Sequence, residues 1–345
     1  MPRARSRRSG DSVGLVPTGS TLLNLACSNT VAGAFKLGTL NNIIGDSSAG
    51  KSLLCLNMLA EIAQRSEFKD HLFIYDDVER RLFFDIRRLF GSKVADRIVG
   101  PDGPVTESAS STIESFYYNV DNRLREGKPF FWFLDSMDGL DSEASERKFQ
   151  ENKEAFQKEK EGKGSYGDGK AKINSENMRK ITQNLRNTNS ALIIISQTRD
   201  NLNPGFQPKT RAGGRALEFY ASHIMWLAKV KKIKKMIRGK NRTIGVDVRA
   251  SISKNSLTGL QTEVDFPLYY GYGLDDISSM IDFLIDEKEL QVSANSIIWE
   301  DQKYSRAKLV KHFEENGTRE LQILCKKVWT DITDQLFPDR KPRYE

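Results

Sequence analysis

Cysteine and histidine are scarce, with three of each in 345 residues. Cys27, Cys55 and Cys325 are odd in number and far apart, which argues against a disulfide framework and suits a reducing compartment. His71, His223 and His312 stand alone, so no histidine-based metal site is expected. No apolar run approaches the ~20 residues of a membrane-spanning helix. The basic N-terminus has no apolar stretch behind it, so no secretory signal is read there. Together these absences predict a cytoplasmic protein without a membrane partner.

What is present is ordinary for a globular chain: 38% hydrophobic and 29% charged residues. The length allows one large core and a small second domain. Lysine and arginine exceed aspartate and glutamate by 53 to 46, a net charge of +7. That surplus fits a nucleic-acid partner, although abundant surface lysine gives the same number.

The stretch Gly45, Asp46, Ser47, Ser48, Ala49, Gly50, Lys51, Ser52 reads G-x-x-x-x-G-K-S. Such a loop wraps a nucleotide's phosphates in backbone N–H groups. Residues 41–44 before it read as a short buried strand, and 53–60 after it as a helix whose N-terminus favours anions. Lys51 is expected to reach the β- and γ-phosphates of ATP, and the Ser52 hydroxyl to hold Mg²⁺.

Further along, Ser20 is a plausible N-cap for a helix bearing Leu22, Leu23 and Leu25, and residues 1–12 read as a disordered basic tail. A strand at 72–75 ends in Asp76, Asp77, Val78 and Glu79. Carboxylates there either polarise a water at the γ-phosphate or cap an amphipathic helix over 80–90, which Gly91 ends. The strand at 129–134 runs into Asp135, expected to order the Mg²⁺ shell. Residues 143–160 alternate charge at helical spacing, and 162–170 form a Gly-rich loop. That loop suits single-stranded nucleic acid or is a solvated excursion.

A helix at 176–187 precedes a buried strand at 191–197 that ends in Gln197, either a γ-phosphate sensor or a simple strand cap. A polar loop follows over 198–215. Strands at 221–230 and 246–252 flank the most basic stretch, Lys231 to Arg242, read as a hairpin with a positive tip or as a lysine-protected edge. From residue 275 the pattern turns helical, at 277–287, 305–316 and 320–336, with a short strand at 297–299. The expected division is a core over 13–274 and a small α+β domain over 275–345.

Seven segments in order resemble RecA-type recombinases. They are "PTGSTLLNLA", the phosphate loop, "FLDSMDGL", "NMRKITQNLRNTNSALIIISQTR", "GGRALEFYAS", "SISKN" and "YYGYGLDDISSMIDFLIDEKELQ". The likeness, to a divergent or phage-type member, runs from about residue 16 to 336. It implies an α/β fold: a RecA-like P-loop ATPase core with a twisted, mostly parallel sheet, plus the small C-terminal α+β domain. It implies ATP with Mg²⁺, single- and double-stranded DNA as partners, strand exchange, and a homo-oligomer in filament or ring form, in the cytoplasm or at the nucleoid. Glu79 becomes the expected catalytic base, with Asp77 the alternative, and Gln197 reports the γ-phosphate to the second DNA loop. Lys163, Tyr166, Lys170 and Lys172 are the expected DNA contacts of the first loop, and Arg199, Lys209, Arg211 and Arg215 those of the second. Lys254 is expected to reach a neighbouring subunit's ATP. Three departures stand out: no room for the family's N-terminal docking helix, a longer first loop, and Ser256 in place of a second interface lysine. A recombination mediator without strand exchange and a ring helicase are the rival activities.

Overall fold

The computed structural model describes residues 14–157, 170–200, 209–211, 214–293, 295–337 and 340. The basic tail, Lys163 and Tyr166 lie outside them. The strands are β1 (Leu15–Val16), β2 (Phe35–Lys36), β3 (Thr39–Gly45), β4 (Leu72–Asp77), β5 (Ile98–Val99), β6 (Phe130–Asp135), β7 (Ala191–Asp200), β8 (Lys209–Arg211), β9 (His223–Ile237), β10 (Lys240–Asn255), β11 (Glu263–Tyr269), β12 (Gly273–Leu274), β13 (Val292–Ser293), β14 (Ser296–Trp299) and β15 (Gln302–Tyr304). The helices are α1 (Thr21–Ser28), α2 (Lys51–Gln64), α3 (Ile86–Phe90), α4 (Ser92–Ala95), α5 (Ile113–Glu126), α6 (Glu143–Gln157), α7 (Lys170–Leu185), α8 (Gly214–Tyr220), α9 (Asp276–Asp286), α10 (Arg306–Asn316) and α11 (Arg319–Gln335).

One ten-stranded sheet organises these elements in the order β12-β11-β10-β9-β3-β7-β6-β4-β5, with β8 on β7. Neighbours from β9 to β5 run parallel, and those from β9 to β12 antiparallel. Helices cover both faces of the parallel part, which is why its strands are continuous apolar runs. Along β6, Phe131 and Phe133 pack towards α2, while Phe130, Trp132 and Leu134 pack towards α5, α7 and α8. The chain leaves β3 through α2 for β4, passing over β7 and β6. In such a sheet the ligand crevice lies at the strands' carboxyl ends, where the connections diverge.

The segment after β12 shares the core of α1 and α2: Met280, Ile281, Leu284, Trp299, Phe313 and Trp329 belong to one cluster with Leu22, Leu25 and Leu54. Polar ties reinforce this packing. The Asp276 carboxylate accepts from Thr21 N (2.6 Å) and Thr21 Oγ1 (2.7 Å), and Trp329 Nε1 donates to Asn29 Oδ1 (3.1 Å).

Three stretches differ from the reading of the sequence. Residues 80–85 are a turn, and helix begins only at Ile86 under the Asp85 cap. The Asp77 carboxylate causes this by taking the N–H groups of Arg81 (3.1 Å) and Leu82 (2.8 Å), which tightens the chain before a helix can start. Next, β7 continues past Gln197 to Asp200 and pairs with β8, so the expected loop over 198–215 is in part a β-ribbon. Finally, α7 begins at Lys170, which moves Lys170 and Lys172 from a loop to a helix start. Helix α5, closed by a Thr112/Ser115 capping box, is an element the sequence reading passes over.

Candidate nucleotide site

The phosphate loop joins β3 to α2 and is shaped by its glycines. Gly50 has φ +88°, a left-handed conformation that L side chains avoid, and a Cβ there would lie 2.4 Å from Leu268 Cδ1. A Cβ on Gly45 would lie 2.6 Å from the Leu227 carbonyl oxygen, so this strand end also accepts glycine alone. Lys51 is buried in the first turn of α2, and its Nζ spans the loop to the carbonyls of Gly45 and Asp46, both at 2.8 Å. Burial lowers its pKa, and the carboxylates of Asp135, Glu79, Asp46 and Asp138 act in the opposite direction.

Three parallel strands, β4, β6 and β7, deliver the acidic half. Asp135, at the end of β6, receives the Ser52 hydroxyl at 2.6 Å and the Tyr75 hydroxyl at 2.7 Å on the same oxygen, Oδ2. Burial raises the Asp135 pKa, and these two hydrogen bonds oppose the rise. Tyr75 comes from β4, and burial pushes its hydroxyl well above the ordinary tyrosine range. Past the end of β4, Glu79 Oε1 accepts from Ser136 Oγ (3.0 Å) and Gln197 Nε2 (2.5 Å), and Oε2 pairs with Arg81 (3.0 Å). Gln197 is further fixed through its N–H to Asp138 Oδ2 at 2.6 Å, and the next residue, Thr198, bonds Asp46 of the phosphate loop. The chain from Gln197 into the β7–β8 ribbon is thus tied to the phosphate loop at one end and to Glu79 at the other.

The two neighbouring aspartates lie apart from this set. Asp77 is engaged by the turn described above, and Asp76 is fully buried, accepting from Ser110 N (2.8 Å) and Ser110 Oγ (2.7 Å). The sequence reading names Lys51, Ser52, Asp135, Glu79 and Gln197, and the fold brings them together. It does not name Tyr75, Ser136, Asp138 or Arg81. Asp138 and Ser136 sit inside the quoted "FLDSMDGL", the available signal for them. Among the described residues no cluster of three His, Cys, Asp or Glu could hold a metal by itself.

The other expected positions lie elsewhere. Arg199, on β7, faces Thr210 in the ribbon register, and Lys209 and Arg211 are on β8. Arg215 is in α8, and Lys170 and Lys172 are in α7. Lys254, near the end of β10, pairs in register with Ile224, which pairs with Asn42. This is the amino end of β9, level with the middle of β3 and three residues back from Gly45. There its Nζ donates to the last carbonyls of α8, Glu218 O (2.7 Å) and Phe219 O (2.9 Å). The β9–β10 hairpin runs the other way: β9 passes Gly45 at Leu227 and continues to Ile237, about 33 Å beyond the carboxyl edge at ~3.3 Å per residue. Lys229, Lys231, Lys232, Lys234, Lys235, Arg238, Lys240 and Arg242 are exposed along it. No helix among the described residues is long and apolar enough to cross a membrane.

Comparison with known proteins points one way. A family model described as the RecA N-terminal domain matches residues 155–275. Protein RecA of Thermus thermophilus is 29% identical over 278 residues, covering 79% of this chain and 72% of the relative. Protein RecA of Laribacter hongkongensis is 27% identical over 311 residues, covering 89% and 78%. Protein RecA 2 of Myxococcus xanthus is 27% identical over 285 residues, covering 81% and 70%. Taken with a phosphate loop set in a mostly parallel sheet, these matches make the chain similar to RecA proteins and support a RecA-type recombinase.

Proposed function

We propose that this protein is a DNA-dependent ATPase that binds single-stranded DNA, pairs it with a duplex and promotes strand exchange. One observation carries the reading: Gln197 bonds Glu79 on one side and leads on the other into a ribbon bearing Arg199, Lys209 and Arg211. A hydrolytic carboxylate and a basic ribbon joined by one side chain are what coupling between DNA and ATP requires.

The site suits the phosphates of a nucleotide. The glycines leave the backbone of residues 45–50 open to close approach, the start of α2 carries partial positive charge, and Lys51 supplies a cation. Ser52 Oγ and Asp135 Oδ2, 2.6 Å apart, are hard oxygen donors suited to a Mg²⁺ that completes its shell with phosphates and water. When bound, that ion neutralises charge on the terminal phosphates. Glu79 takes the proton of the attacking water, and Asp77 holds the turn that presents it. Lys254, too far from its own phosphate loop, serves a neighbouring copy. The β9–β10 hairpin, on the phosphate-loop edge, offers its lysines and arginines to the duplex.

Steady-state ATP hydrolysis with and without single-stranded DNA, and strand exchange between labelled oligonucleotides, test the reading. DNA-stimulated hydrolysis and exchange, both lost in Lys51→Ala, are expected. Hydrolysis without exchange would leave a motor, and nucleotide binding with neither activity would leave a mediator.

A further inference from the structure

Glu79 is engaged by three donors at once. Ser136 and Gln197 share Oε1, and the Arg81 guanidinium takes Oε2 at 3.0 Å. A carboxylate that aligns and deprotonates a water needs a lone pair facing that water. Here three of the carboxylate's roughly four acceptor sites are in use, both on Oε1 and one on Oε2.

The turn that carries Arg81 is built to hold it there. Asp77 takes the Arg81 N–H at 3.1 Å and the Leu82 N–H at 2.8 Å. Arg80, in the left-handed region at φ 53°, anchors its own guanidinium to the carbonyls of Thr106 (3.1 Å) and Glu107 (3.4 Å). The backbone at residue 81 is therefore fixed, while the Arg81 side chain is 75% exposed and has room to swing. Ser136 and Gln197 differ from it: Ser136 directly follows β6, and Gln197 lies within β7. Of the three donors, Arg81 is the one that can leave without moving the sheet.

We propose that Arg81 is a positioning residue that clamps Glu79 while DNA is absent and lets go when DNA is bound. The inference rests on the ATPase reading above. It makes activation a concerted event at both oxygens: DNA acts on Oε1 through Gln197 and the ribbon, and the exposed Arg81 pair on Oε2 gives way with it. An exposed ion pair of this kind is worth at most about a fivefold factor, the equivalent of about 1 kcal/mol. The clamp therefore sets a low resting rate; it does not abolish turnover.

The test is steady-state ATP hydrolysis by full-length Arg81→Met and Arg81→Lys, with and without single-stranded DNA, resolved into kcat and KM. Arg81→Met should raise the DNA-free kcat by about three- to fivefold. Its KM for ATP and its DNA-stimulated kcat should stay within about twofold of wild type. Arg81→Lys, which keeps the cation, should return the ratio of stimulated to resting rate towards the wild-type value. A merely structural arginine would not raise the resting kcat. A resting kcat in Arg81→Met that is unchanged or lower overturns the clamp while leaving the ATPase reading intact. A wild-type protein inert towards ATP even with DNA overturns both.

Discussion

At the scale of single residues, the division of labour between two carboxylates two positions apart is the most informative feature. Asp77 and Glu79 are equivalent by composition, but one accepts two backbone N–H groups and the other accepts only from side chains. Glu79→Gln should therefore bind ATP like the wild type, fail to turn it over, and hold DNA longer, as read by a fluorescent nucleotide and single-turnover hydrolysis. Asp77→Asn should behave differently: a carboxylate accepting two N–H bonds is replaced by an amide with one acceptor oxygen. The expected loss is about 1–2 kcal/mol of stability, with hydrolysis reduced but measurable. A dead Asp77→Asn beside an active Glu79→Gln would reverse the assignment. A second residue, Asp276, sets a pH dependence. Burial raises its pKa to about 6 from 3.8, against the opposing bonds from Thr21. A carboxyl raised on folding contributes stability below the unfolded pKa and loses it as pH climbs through the folded value. The window is thus about pH 4 to 6, and the loss is at most about 3 kcal/mol, since the N-termini of α1 and α9 favour the anion. Asp276→Asn keeps a donor and an acceptor for Thr21. Its melting temperature should gain on the wild type as pH rises from 4 to 6.5, and an equal offset at every pH would remove the effect.

At the scale of elements, what the sequence disclosed and what it hid divide by whether a signal is local. Strands β3, β6 and β7 and helix α2 were legible because apolar runs, a Gly-rich turn and a helix start are written within a few residues. The turn at 80–85 was not, because its amphipathic pattern fits a helix until the Asp77 carboxylate is seen on the N–H groups of Arg81 and Leu82. The β7–β8 ribbon was hidden for a similar reason: polar residues with Pro and Gly read as loop, and a pairing such as Thr198 with Arg211 depends on register across the intervening chain. In the site, residues named by a motif were found, while Tyr75 and Arg81 carry no local mark and matter through strand order alone. The β9–β10 hairpin extends the lesson to a prediction. Its basic run is legible in the sequence, but its direction, outward past the phosphate-loop edge, is a product of the parallel β3–β9 pairing. Replacing Lys231, Lys232, Lys234 and Lys235 by alanine should weaken duplex capture and reduce its log–log salt slope by up to about 3–4, since each lost phosphate contact removes about 0.9. Hydrolysis stimulated by single-stranded DNA should stay within about twofold of wild type, because β7 and β8 are untouched. An unchanged duplex slope would make these lysines edge protection.

At the scale of the whole molecule, the placement of Lys254 turns a question about one side chain into one about assembly. Its register with Ile224 and Asn42 puts it about 10 Å behind the start of the phosphate loop along the strands, at ~3.3 Å per residue, and at the amino end of β9. Within one chain it therefore caps α8 through the carbonyls of Glu218 and Phe219. A second copy stacked edge to edge would bring this amino end towards another copy's carboxyl edge, and a cation there can act on the neighbour's terminal phosphate. Two effects of Lys254→Ala must then be separated. Loss of the cap costs about 0.3–1 kcal/mol by the ordinary value of a cation at a helix C-terminus, and it acts in the chain that carries the substitution. Loss of a trans cation should lower DNA-stimulated hydrolysis by about a hundredfold or more and leave nucleotide binding intact. Mixing resolves them. Lys51→Ala has a defective phosphate loop but an intact Lys254, and Lys254→Ala has the reverse. If the lysine serves its neighbour, equimolar mixtures should regain DNA-stimulated hydrolysis at the interfaces where an intact loop meets an intact lysine, while each variant alone stays near background. An uncapped α8 cannot be repaired by a partner, so activity in Lys254→Ala alone that is close to wild type, or a mixture no better than its parts, would confine this lysine to the helix it caps.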